Sequence, residues 1–352
     1  MVSTASTLIL GRDQAETMVD NVLVASLWGI NSHGIVLFPH YLGRLRKGLT
    51  NNKPNIRINH TFPAVLSVDG DNGLGSVVTM RALEAAIAVA DQYGVALAGI
   101  KNSNHFGIAG YYCNLASKLG YVLLISSVGP PNMAPHGSME EYFSTNPFAV
   151  GMPRKDGSCL IVDMATSVSA KGRVREYARQ GLTIPEGWAL DKEGHSTIDA
   201  NAAIEGIMLP MAGHKGSAIA LAIEYLAGVA TGAGIGKDIP NAYGNETKIP
   251  NVGHSMVIYR PDAMLPDEEH YARIERMCHE IKMLRPSTGF ERVVLPGELE
   301  FNREDEHKKN GLSISDELFK ELINLGKDAG VDCSKMLKEK KRENNDYIRP
   351  VH

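Results

Sequence analysis

The sequence predicts an α/β fold. Two observations carry this reading: from residue 64 onward short β-rich runs alternate with longer segments of helical periodicity, and a chain of 352 residues with 43% hydrophobic content can bury a substantial core. Charge points the same way, because 36 basic and 40 acidic residues, net −4, give no broad cationic face for nucleic acid or anionic lipid. Small-molecule chemistry is the class these numbers favour.

Residues 13–31 place Ala15, Met18, Val22 and Leu27 near helical spacing, so a helix ends just before the tripeptide Ser32-His33-Gly34. A second helix runs from Pro39 to Gly48, and the polar, proline-bearing residues 49–63 read as a connection. Strands are expected at 64–70, 95–100 and 121–128, with helices at 76–94 and 107–120 between them. Further strands fall at 159–165 and 254–260, and long helices at 215–231 and 266–284. The second of these helices shows Tyr271, Ile274, Met277 and Ile281 as a core face. A last helix at 315–325 has Ser313 and Ser315 as caps and Gly326 as its stop, ahead of a charged tail expected to fray.

Cys113, Cys159, Cys278 and Cys333 are widely spaced with no C-x-x-C pair, which fits a reduced, cytoplasmic protein without a disulfide framework. The opening residues lack a basic start and long apolar run, so no secretory signal is read. The most membrane-like stretch, 217–236, carries Glu224 and breaks into glycines, as a buried helix would.

Familiar nucleotide and metal signatures are absent. "GAGIGK" at 232–237 misplaces its third glycine for G-x-G-x-x-G and follows a helix, and it fails as a P-loop because Asp238 stands where Ser or Thr should. None of the twelve histidines forms H-x-x-x-H or H-E-x-x-H, so no metal is expected, and there is no G-x-S-x-G elbow. What remains is polar residues at the ends of apolar elements. Asn102, Ser103, Asn104 and His105 follow a strand, where open α/β sheets bind ligands. Thr145 and Asn146 precede an apolar run, Asp163, Thr166 and Ser167 follow a strand, and His214 and Lys215 open a helix whose N-terminus suits an anion. Each has a plain alternative: a loop histidine as a hydrogen-bonded spacer, Thr145-Asn146-Pro147 as a turn, Asp163 as a cap, Lys215 as a solvated surface charge.

Seven stretches in order, "SHGI", "NSNHFGIAGYY", "STNP", "VDMATSVSAKG", "IPEGWALD", "LPMAGHKG" and "VVLPGE", resemble the malate/L-lactate dehydrogenase family of NAD(P)-dependent oxidoreductases, over residues 12–330. That family is distinct from the Rossmann-fold lactate and malate dehydrogenases, and also contains ureidoglycolate, sulfolactate and hydroxycarboxylate dehydrogenases with diketogulonate and piperideine-2-carboxylate reductases. The resemblance implies a mixed, largely antiparallel central sheet with its own type of nicotinamide site. It implies a helical domain from the two chain ends, 1–63 with 285–352, around a nicotinamide-binding α/β domain at 64–284. It implies a homodimer with active sites near the subunit interface.

Carried over by residue, His33 and His105 match the family's proton-transfer histidines, and neither is ranked first. Ser32, Thr145 and Asn146 are the candidate substrate-side residues, with Arg44 or Arg46 as the basic group that would take the substrate carboxylate unless both face solvent. Cofactor contacts are implied for Val162, Asp163, Met164, Ala165, Thr166, Ser167 and Val168, for His214 and Lys215, and for Gly297, Glu298 and Leu299. The implied cofactor is NAD, with NADP as the alternative, and the implied reaction is exchange of a small 2-hydroxy acid with its 2-keto acid. Reduction of a cyclic imine or diketo sugar acid, or a degenerate cofactor-binding member, are the competing readings. They arise because Leu37 stands where many relatives carry an arginine suited to gripping the substrate carboxylate. The stretch before the S-H-G motif is shorter than the family's, so the first helix is expected to be clipped.

Overall fold

The computed structural model describes residues 1–241 and 248–332; Cys333 and the charged tail expected to fray lie outside them. Three helices open the chain: α1 (Val2–Leu8), α2 (Arg12–Leu27) and α3 (Phe38–Arg46). The sheet region follows with β1 (Arg57–Phe62), β2 (Val65–Asp69), α4 (Gly75–Tyr93), β3 (Val95–Ser103), α5 (Ala109–Lys118), β4 (Val122–Ser127), β5 (Phe148–Pro153) and β6 (Cys159–Met164). Then come α6 (Lys171–Arg179), β7 (Ala189–Leu190), β8 (Ser196–Thr197), α7 (Ala200–Glu205), β9 (Ile207–Met208) and α8 (His214–Ile223). The chain closes with β10 (Val252–Tyr259), α9 (Asp267–Lys282), α10 (Glu298–Asn310) and α11 (Asp316–Asp328).

Seven strands form one sheet in the order β1-β2-β3-β10-β4-β5-β6, and every neighbouring pair is antiparallel except β2-β3, whose crossover is α4. The sheet is thus mixed and largely antiparallel. Alternation fixes its inner face: Ala96, Ala98 and Ile100 of β3 are fully buried, as are Leu123 and Ile125 of β4 and Met256 and Ile258 of β10. Onto that face α4 lays Val78, Ala82, Ala86 and Ala90, a small-residue stripe at helical spacing, and α5 packs beside it. A large side chain buried there, such as Leu123, contributes about 1.5–3 kcal/mol. A second core joins α1, α2 and α3, with Met18, Leu37, Phe38 and Leu42 buried and Leu322 and Leu325 of α11 packed against them. Among the described residues no helix is long and apolar enough to cross a membrane.

Several expectations need correction. Residues 49–63 are not only a connection, because β1 forms there; it is an edge strand whose side chains are nearly all exposed, so no apolar alternation marks it. The helix expected at 215–231 is α-helical only to Ile223 and continues as a π turn over Glu224–Val229, where Glu224 turns inward to Asn146 and Gly236. On α9 the buried face is Ile274 and Cys278 with Tyr271 and Ile281, and Met277 points outward, 43% exposed. Gly326 is buried inside α11 and does not stop it. The first long helix, α2, is sixteen residues and is preceded by α1. The small sheet β8-β7-β9 gives too short a pattern to be read from sequence.

Candidate active site

His105 sits just beyond β3, in a loop held from two sides. Asn104 Nδ2 donates to the carbonyls of Asn72 and Gly73 and to Asn72 Oδ1, at 2.8–3.1 Å. A Cβ on Gly75 would lie 2.2 Å from the Asn104 carbonyl, so α4 can start there only with glycine. From the other side, Asn21 of α2 donates to the Phe106 carbonyl at 3.3 Å. Gly107 has φ +82°, and a Cβ there would fall 1.7 Å from Asn21 Oδ1. Backbone geometry therefore fixes the ring's base, while the Tyr41 hydroxyl lies 2.6 Å from its Nδ1.

His33 closes a 3₁₀ turn, Asn31–His33, immediately after α2. Ser26 Oγ accepts from the Ile35 N–H at 2.9 Å and would be 2.1 Å from a Cβ on Gly34, so the glycine of this motif is required by packing. From the far end of the chain α10 steadies the same turn: Trp28 Nε1 donates to Glu304 at 2.7 Å, and His307 Nδ1 pairs with the Leu27 carbonyl at 2.7 Å. The consequence is that the imidazoles of His33 and His105, seventy-two positions apart in sequence, face each other with ring centres 5.3 Å apart and planes tilted by 31°. Ser32 Oγ lies 2.9 Å from His33 Nδ1.

Burial pushes the pKa of both rings down. For His105 the shift is large, and the neighbouring His33, His40 and His254 add to it. Both are neutral at pH 7. His254, fully buried beneath the loop and stacked on Phe106, is pushed down to about 3 by burial and bridges Ser127 and Ser103 at 2.9 Å each. It is a neutral strut under Ser103.

The stretches implied as cofactor contacts also converge. Ile161–Met164 of β6, the free edge of the sheet, and Pro296–Gly297 line one cleft of about 210 Å³ with Trp28 and Glu300. Gly297 has φ +91°, and a Cβ there would sit 3.2 Å from the Ile161 nitrogen, so the backbone comes close only because it is glycine. Asp163 Oδ2 accepts the Gly110 N–H at 2.7 Å near the start of α5, and burial first, with the Glu300 charge, raises its pKa to about 6 against that bond's pull. Glu298 pairs with Lys282 and accepts the Leu295 N–H, which commits it to α9 and the turn; Leu299 is half exposed.

Beyond β6, Ala165 leads into a loop fastened by backbone bonds. Thr166 donates from both N and Oγ1 to the Thr145 carbonyl at 2.8 Å, Met211 donates to the Thr166 carbonyl, and Val168 donates to the Leu209 carbonyl. Ser167 bridges to Pro210, which places this loop beside exposed His214 and Lys215 at the start of α8. A Cβ on Gly172 of α6 would be 3.6 Å from that of Ser32, so the same loop returns toward the histidines. Asn146 is fully buried, and its amide donates to the Ala220 carbonyl and to Glu224. Arg44 is 7% exposed and donates to the Leu49 carbonyl. Among the described residues no cluster of three or more His, Cys, Asp or Glu could hold a metal.

Sequence reading passed over Tyr41, Asn21 and His254. Tyr41 looks like one more apolar-face residue of α3, Asn21 like a polar position on α2, and His254 opens a strand pattern; only the tertiary approach of α2, α3 and β10 to the 103–107 loop marks them.

The comparisons bear on the whole of this frame. The malate/L-lactate dehydrogenase family model matches residues 6–323. L-sulfolactate dehydrogenase of Methanocaldococcus jannaschii is 36% identical over 320 residues, 91% of this chain and 92% of that protein, and its solved structure superposes with a TM-score of 0.89, covering 94% of this chain and 95% of that one. Malate dehydrogenase of Pyrococcus horikoshii is 34% identical over 328 residues, 91% of this chain and 90% of its own length. Because the match spans both chain ends as well as the sheet that positions the two histidines, the chain belongs to the malate/L-lactate dehydrogenase family.

Proposed function

We propose that the protein interconverts a small 2-hydroxy acid and its 2-keto acid, with NAD(H) or NADP(H) as hydride carrier and His33 and His105 as the histidines that bind the hydroxyl and handle its proton. Family membership makes it an oxidoreductase acting on a CH–OH group. The observation that carries the rest is the face-to-face pair of neutral imidazoles at 5.3 Å, formed by groups from separate elements held by independent bonds.

A bound nicotinamide supplies hydride acceptance and donation. The residues fit such a group: the cleft of about 210 Å³ between the β6 edge and Gly297 has room for a ring of that size, and Lys215 at the α8 N-terminus suits a phosphate. The chain's own task is to position a hydroxyl and manage its proton, and an uncharged imidazole can take that proton and return it in reverse. Ser32, beside His33, and Thr145, fastened to the cofactor loop, are the substrate-side residues we carry forward. Asn146 and Arg44 serve the surrounding framework. We read the protein as a cytoplasmic homodimer; support for the dimer comes from Leu221, Tyr225 and Val229 on α8 and the π turn, each more than half exposed, an apolar face that a second subunit would cover.

The test is turnover of malate, lactate, sulfolactate and ureidoglycolate, each with NAD⁺ and NADP⁺, and of a cyclic imine with NADH and NADPH, followed by nicotinamide absorbance. A 2-hydroxy acid oxidised with release of its keto acid is the expected result. Cofactor binding without turnover of any of them, or turnover confined to cyclic imines, would overturn the reading.

A further inference from the structure

The two histidines differ in what their Nδ1 atoms meet. For His33 the neighbour is the Ser32 hydroxyl, which donates or accepts as required. For His105 two groups converge on one nitrogen: the Tyr41 hydroxyl at 2.6 Å and the backbone N–H of Gly107 at 3.4 Å. A backbone N–H can only donate, so Nδ1 of His105 is the acceptor and holds no proton. The Tyr41 O–H then donates as well, and the neutral ring carries its proton on Nε2.

We propose that Tyr41 is a positioning residue that holds His105 in the Nε2–H tautomer, so that His105 offers the substrate oxygen a hydrogen-bond donor and proton transfer falls to His33. The second half rests on the dehydrogenase reading above; the first does not. Rigidity supports the lock. Tyr41 is 6% exposed in the N-terminal core beside Phe38 and Leu42, and Gly107 is fixed by its positive φ and by Asn21. To put a proton on Nδ1, both donors would have to turn away, and the Gly107 amide cannot. Burial of the ring disfavours its protonation further.

The step balances as follows. In oxidation, the C–H electron pair and hydrogen leave as hydride to the nicotinamide, the O–H proton passes to the nitrogen of His33 not facing Ser32, and the new carbonyl oxygen keeps its bond from His105 Nε2–H. Imidazolium at His33 then returns its proton to water. Reduction runs the same path backward.

Nitrogen-15 NMR of the full-length, cofactor-free protein with labelled histidine reads the tautomer directly, with the His105 signals identified by their loss in His105→Gln. The expected spectrum has Nδ1 unprotonated and Nε2 protonated between about pH 6 and 8, and Tyr41→Phe moves the Nδ1 signal. A proton on Nδ1 in the wild type, or a Tyr41→Phe spectrum identical to it, overturns the lock. For the roles, His105→Gln keeps a neutral N–H donor and should hold kcat within about tenfold, whereas His33→Gln should lose about 10²–10⁴. Equal losses, or the reverse ranking, overturn the division of labour. Absence of turnover by the wild type would sink the dehydrogenase reading while the spectra still decided the part played by Tyr41.

Discussion

Replacing Asp163 with asparagine probes the cofactor strand without touching either histidine. The carboxyl accepts one N–H, from Gly110, and sits half-buried in the wall of the cleft, and burial raises its pKa from 3.8 to about 6. A folded-state pKa above the unfolded one means that the unfolded chain gives up the proton first. The stabilisation tied to this group is therefore complete below about pH 4 and is lost as pH rises through about 6. Two pKa units correspond to about 3 kcal/mol, and attraction of the charge to the start of α5 trims what substitution recovers, leaving about 1–3 kcal/mol at pH 7.5. Asparagine keeps the acceptor for Gly110 and has no charge to bury. Urea midpoints of the cofactor-free wild type and Asp163→Asn, taken from pH 4 to 8, should coincide at the acid end, separate in favour of the variant between about pH 4 and 6, and stay apart above that. A difference constant across that range, or one favouring the wild type at neutral pH, would refute the reasoning. A carboxylate that lowers stability at neutral pH fits a functional position, and weaker cofactor binding by the more stable variant is the companion result expected.

Alanine at His33 or at His105 should each lower kcat by about 10²–10⁴ with the circular-dichroism melt unchanged, and full activity in both variants would remove them from the chemistry. Gly107→Ala forces a Cβ onto Asn21 at positive φ and should destabilise the fold by about 2–4 kcal/mol, read as a lowered melting temperature. Lys215→Ala should weaken cofactor binding about tenfold by fluorescence titration while leaving the melt of the cofactor-free protein in place.

Legibility of the sequence followed the range of the interactions. His33, His105 and the 162–168 stretch lie in local patterns, a turn after a helix and loops after strands, and those patterns depend on residues a few positions away. Tyr41 acts on a ring sixty-four positions later, and nothing in "FPHYLGRLR" separates it from the core residues around it. The α8 boundary was missed for a related reason. Its π turn forms because Glu224 is drawn to Asn146 and the Gly236 N–H, partners that periodicity along one helix cannot reveal. Strand β1 was invisible because an exposed edge strand has no buried alternation to display.

Leu37 shows why reaction type and substrate separate in this chain. It is 8% exposed and packs in the N-terminal core with Phe38 and Leu42, so its side chain is turned inward and helps hold the helix that carries Tyr41. With the packing of this chain, an arginine there would have to bury a guanidinium among the apolar side chains of that core or turn outward and leave a gap in it. The position has therefore been absorbed into the scaffold. Arg44, about two helical turns further on, is buried against the Leu49 carbonyl. What faces Ser32 instead is the start of α6, where Gly172 makes the approach and Lys171, paired with Glu141 at 3.0 Å, is the adjacent cation. On the proposed reading, in which the histidine pair handles the reaction, the substrate's acid group would be met not from the turn before α3 but from the elements that approach Ser32.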